Sequence, residues 1–75
     1  MSPRLPVISG KQAVRALERA GFTEVGRRGS HVKLRNDAGR TVIVPLHSEL
    51  APGTLASVLR QAGLSVDKLS GLLEE

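Results

Sequence analysis

The hydrophobic period changes twice along this chain, and the two changes limit what it can fold into. From Ser9 to Gly21 the apolar residues Ala13, Val14, Leu17 and Ala20 recur at helical spacing, while Lys11, Arg15, Glu18 and Arg19 face outward. From Phe22 to Val44 the period falls to two. It is clearest at Ser30 to Arg35, where Ser30, Val32 and Leu34 alternate with His31, Lys33 and Arg35. Beyond Pro52 the helical spacing returns in Leu55, Val58, Leu59 and Ala62, and again in Val66, Leu69, Leu72 and Leu73. One helix, a strand region and two further helices are the assignment that these stretches predict.

Punctuation fixes the boundaries. Pro3 and Pro6 make residues 1–8 an extended arm. Ser9 with Gln12 has the spacing of a capping box, and Gly21 supplies a left-handed stop, with Phe22 placed to fold back on Leu17. A first strand runs from Phe22 to Arg28 and breaks at Gly29; a second runs from Ser30 to Arg35. Asn36-Asp37-Ala38-Gly39 is a turn, and a β-branched third strand runs from Arg40 to Val44 until Pro45 ends it. Leu46 to Ala51 is a loop, Pro52 opens the second helix, Gly63 closes it, and Ser65 caps a short last one. The expected fold is α+β, in the order α-β-β-β-α plus a short C-terminal helix. A three-stranded antiparallel sheet then has helices on one face and His31, Lys33 and Arg35 on the other. No linker or repeat divides it, so residues 1–75 read as one domain, with Glu74 and Glu75 as a fraying tail.

Composition removes whole classes of function. There is no cysteine, hence no disulfide framework, thiolate zinc site or cysteine nucleophile, and two histidines are too few for zinc without carboxylate help. No metal and no cofactor is expected. No apolar run approaches the roughly 20 residues of a membrane span, and no signal-peptide core is present, so the cytoplasm is the expected compartment. The charge is lopsided: residues 1–40 hold nine basic and three acidic side chains, a net of +6, whereas residues 41–75 carry a net of −2. Such asymmetry makes a basic surface that collects a polyanion. With one Phe and neither Tyr nor Trp, stacking of bases on an aromatic platform is nearly excluded.

His31 is the most informative residue. It lies on the polar face of its strand among Arg28, Lys33 and Arg35, and imidazole is the usual proton carrier at neutral pH. Taken alone, it fits a solvated strand histidine better than a catalytic one. Gly29 before it allows close approach of a backbone or a phosphate. His47, beyond Pro45, is a second candidate that could approach His31 from the end of the third strand, or could face water or cap a helix. Ser30 is no partner for the ring, because adjacent strand residues point to opposite faces; a structural or phosphate-contacting hydroxyl suits it better. Gly53-Thr54 offers free N–H groups at a helix start, a weak anion signal.

Together these landmarks resemble a known family. Ser9-Gly10-Lys11, Ala20-Gly21-Phe22, Gly29-Ser30-His31, Val44-Pro45 with His47, Leu50-Ala51-Pro52-Gly53-Thr54-Leu55 and Leu59-Arg60-Gln61-Ala62-Gly63-Leu64 look like those of the HicA-type mRNA interferase toxins. The resemblance spans about Leu5 to Leu73. It implies a fold similar to double-stranded-RNA-binding domains, cleavage of mRNA, and silencing by a cognate HicB-type antitoxin that covers the active face. It also implies that His31, in Gly29-Ser30-His31, is the catalytic histidine; the residues around it, Arg28, Gly29, Ser30, Lys33 and Arg35, are then the expected RNA contacts. Where many members carry a second histidine after the motif, this chain has Val32, which argues against paired adjacent histidines. The rival reading is an RNA-binding module of the same fold without catalysis. DNA binding has little support, since the second helix offers a single Arg60 as a groove-reading charge.

Overall fold

The computed structural model describes residues 4–74; residues 1–3 of the expected arm, and Glu75 of the expected tail, lie outside them. Residues 4–9 run without helix or strand. Helix α1 (Gly10–Arg19), strands β1 (Thr23–Arg28), β2 (His31–Arg35) and β3 (Thr41–Pro45), and helices α2 (Pro52–Ala62) and α3 (Val66–Leu73) follow in order. The sheet is antiparallel in the order β1-β2-β3. The architecture is α+β, consistent with a double-stranded-RNA-binding-domain-like fold. No helix among the described residues is long and apolar enough to cross a membrane.

The helix ends form as their residues dictate. The Ser9 hydroxyl accepts from the Gln12 N–H at 3.1 Å, and the Ser9 N–H donates to Gln12 Oε1 at 2.8 Å. At the other end of α1, Gly21 has φ +96°, the Phe22 N–H donates to the Leu17 carbonyl at 3.0 Å, and the Gly21 N–H donates to that of Glu18. That pair of bonds is a Schellman closure, and it carries Phe22 into the core beside Leu17. Phe22 therefore belongs to the helix closure, and β1 begins one residue later than its sequence pattern suggests.

Val32 and Leu34 of β2 and Val42 and Val44 of β3 are fully buried beneath the helices, with Leu17, Leu55, Val58, Leu59, Leu69 and Leu72 above them. Burying each such aliphatic side chain stabilises the fold by about 1.5–3 kcal/mol. The core thus lies wholly on one side of the sheet. α1 packs on β1 and β3, α2 on β3, and α3 on α1. Arg19, exposed as expected, also donates to the Leu72 carbonyl at 2.8 Å, satisfying an acceptor at the end of α3.

Two close approaches lock the helices to the strands. A Cβ on Gly10 would collide with the Pro45 carbonyl oxygen and come within 2.8 Å of Leu46 Cα, so only glycine lets α1 start this near the end of β3. On β3, whose outer edge has no strand neighbour, the Ile43 N–H donates to Gln61 Oε1 of α2 at 3.0 Å, and Arg40 donates to the Gln61 carbonyl at 3.2 Å. The side chain of a helix residue so covers an edge that would otherwise offer itself for pairing. Pro45 closes β3 from inside the strand rather than after it. Its position opposite His31 needs no N–H, because the next ladder bond runs from the Leu46 N–H to the Ser30 carbonyl.

Candidate nucleic-acid interface

The open face of the sheet is built in cross-strand rows. Arg28, His31 and Pro45 form one row; Gly26, Lys33 and Ile43 form the next; Arg35 and Thr41 lie beyond. His31, Lys33 and Arg35 are exposed while Val32 and Leu34 are buried, as the alternation requires. Two rows surround a shallow cavity of about 410 Å³ lined by Gly26, Arg27, Arg28, His31, Lys33 and Ile43. Four of those six side chains are basic or imidazole, and none is acidic.

Arg28 and His31 meet because they close the β1–β2 hairpin. Gly29 and Ser30 are the two connecting residues, and Gly29 has φ +57°. A glycine with positive φ at the first of two hairpin residues fits the tight turn whose twist matches that of the strands. The expected close approach of a second backbone to Gly29 is not found: a Cβ there would meet nothing within 4 Å. The turn itself demands the glycine. Ser30 sits in the turn rather than in β2, exposed, and contributes its carbonyl to Leu46.

Of the residues picked out from sequence, Arg28, His31 and Lys33 line the cavity together. Arg35 shares their face but lies two residues further along β2, about 7 Å beyond Lys33. His47 does not line the cavity. It is exposed in the loop after β3, and its carbonyl accepts from the Gly10 N–H at 2.9 Å, so it serves the start of α1 through its backbone. Gly53 and Thr54 open α2, which packs on the opposite side of the sheet; its start has no side-chain cap.

Arg27 marks the border of the site. It pairs with Val32 and so points toward the helix side, where it meets Glu24 at 3.2 Å, the one ion pair among the described residues. A second depression there, about 280 Å³, brings Lys11 and Arg15 of α1 together with Glu18 and Glu24. Those two carboxylates oppose a polyanion, whereas the open face carries cations without acids. Among the described residues no group of His, Cys, Asp and Glu could hold a metal ion.

Sequence reasoning overlooked two residues that line the cavity. Gly26, half-buried in the middle of β1, leaves a gap on the open face, and Ile43, 40% exposed, forms an apolar patch across from it. An isolated glycine in a strand pattern is the signal that could have found the first. For Ile43 the β-branched run of β3 hid which side chain turns outward.

A comparison with curated proteins gives no match. The family model described as the HicA toxin of bacterial toxin–antitoxin systems matches residues 10–64. That span runs from the start of α1, through the whole sheet and its hairpin, to the residue after the stop of α2. The chain belongs to the HicA family of bacterial toxin–antitoxin toxins.

Proposed function

We propose that this toxin is an endoribonuclease that cleaves mRNA without a metal ion, with His31 as its general acid or base. The observation that carries this reading is the position of His31, in a cavity between Arg28 and Lys33 on a face free of acids, in a chain of a toxin family. In the reaction a ribose 2′-oxygen attacks the adjacent phosphorus and the bond to the 5′-oxygen breaks. A 2′,3′-cyclic phosphate and a 5′-hydroxyl result. One proton must leave the 2′-OH and one must reach the 5′-oxygen; the imidazole of His31 performs one of these transfers and solvent water the other. Arg28 and Lys33 hold the phosphate as its negative charge increases, and Arg35 holds a neighbouring one. Gly29 and Ser30 add backbone and hydroxyl contacts at the hairpin tip.

RNA is chosen over DNA because the nucleophile belongs to the substrate. A single general acid–base group supplies about 10²- to 10⁴-fold, so the enzyme is slow, which suffices for a toxin. The partner that silences it is an antitoxin of the HicB type covering the open face, and both act in the cytoplasm. An RNA carrying 2′-deoxyribose at the scissile position tests the route: it should bind and resist cleavage. Equal cleavage of the deoxy analogue would refute it, and tight binding of RNA with no cleavage of either substrate would leave a non-catalytic RNA-binding module.

A further inference from the structure

The ribonuclease reading accounts for the cations around His31 but not for Gly26 and Ile43, which line the same cavity. Both are out of place on a face built only to hold phosphate. Glycine inside a strand weakens it, and a large aliphatic residue on the open side of a sheet is left half in water. The two belong to one cross-strand row with Lys33 between them. Because the Ile43 N–H is turned outward to Gln61, Lys33 and Ile43 form a non-hydrogen-bonded pair, the kind whose side chains lie nearest, at about 5 Å between Cβ atoms. A Cβ on Gly26 would meet nothing within 4 Å, so the gap it leaves is open space. The cavity, about 410 Å³, falls within the range of about 300–1,000 Å³ of small-ligand sites.

Resting on that reading, we propose that the gap over Gly26, with the apolar surface of Ile43 at the far end of the same row, is a nucleobase subsite that seats one unpaired base beside the phosphate that Arg28 and Lys33 hold next to His31. Charge selects the occupant: the rim is cationic without a carboxylate, so the ligand's phosphate lies on the row of Arg28 and His31. The next row, one step along the sheet, presents the Ile43 side chain at one end, Lys33 in the middle and no side chain at the Gly26 end. A flat ring fits that slot, and a base still paired in a duplex could not enter it. This gives a chain nearly without aromatic residues a way to hold a base on aliphatic surface, and it makes single-stranded RNA the substrate class.

The glycine provides a test in which stability and binding move in opposite directions. Gly26 does not have positive φ and has room above it, so Gly26→Val suits the strand and should raise the melting temperature. Binding is measured in a His31→Ala background to prevent cleavage, with a short single-stranded RNA and the same RNA lacking one base next to the scissile phosphate. Adding Gly26→Val should weaken binding of the intact RNA about 5- to 10-fold, at the low end of what one stacked base contributes, and leave the abasic RNA unaffected. Ile43→Ala should show the same selectivity to a smaller extent. Equal binding of both RNAs by the His31→Ala protein with and without Gly26→Val would overturn the subsite while leaving the ribonuclease reading intact. Failure of the His31→Ala protein to bind either RNA would instead defeat the RNA-holding role of the whole face, and the subsite with it.

Discussion

At the scale of single residues the molecule depends on glycines whose reasons differ. Gly10 is a matter of space, because the carbonyl of Pro45 occupies the place of its missing Cβ. Gly10→Ala should therefore destabilise the fold by about 1–3 kcal/mol, the usual effect of forcing an extra carbon into a packed contact. In a thermal melt of a domain this size, that is a fall of roughly 4–8 °C for each kcal/mol. Gly29 is a matter of backbone angle: with φ +57° in open space, Gly29→Ala should cost about 1–2 kcal/mol and disturb the hairpin that aligns Arg28 with His31. A melt unchanged by both substitutions would refute these assignments. The capping residues Ser9, Gln12, Gly21 and Ser65 were legible in the sequence because each acts within a few positions of itself. The reason for Gly10 was not, since its neighbour lies 35 residues away in the chain.

At the scale of elements, both β1 and β2 were legible to within one residue, but only in β2 was the face of each side chain legible as well. In β2 one face is fully buried and the other exposed, so burial imposes the alternation on the sequence. β1 is an edge strand, exposed at nearly every position, and its pairing shifts register between Glu24 and Gly26. With no buried face to enforce a period, its bulge left no mark, and Gly26 went unremarked. The opposite edge depends on Gln61. Gln61→Ala should remove the acceptor for the Ile43 N–H and cost about 0.5–1.5 kcal/mol, with faster hydrogen exchange at Ile43 than at Val42 or Val44. Uniform exchange along β3 in the variant would show that α2 does not seal that edge. The layout of the site followed from β2 alone: His31, Lys33 and Arg35 were placed on the open face by alternation, whereas the contribution of Ile43 depended on knowing which way β3 turns.

At the scale of the whole molecule, positive charge gathers on the open face, where the proposed function places the RNA. The first forty residues carry a net charge of +6 against a chain total of +4, and the fold places Arg28, Lys33 and Arg35 together on the side of the sheet away from the core. If these three hold phosphates of a single-stranded RNA, log binding constant should fall against log salt with a slope of about −2, and Lys33→Gln should reduce that slope by about 0.7. A slope unaffected by Lys33→Gln would move the RNA elsewhere. Expressed without its antitoxin the chain should arrest growth, and the His31→Ala variant should not.

The most direct test of the central claim uses the purified protein and its His31→Ala variant, each incubated with a long single-stranded RNA in EDTA. Because His31 is exposed and outside the core, the variant should fold and bind RNA as the parent does. Cleavage by the parent, with a loss of about 10²- to 10⁴-fold in the variant, is the result the proposed mechanism predicts. Equal cleavage by both proteins, or none by either with RNA tightly bound, would contradict it.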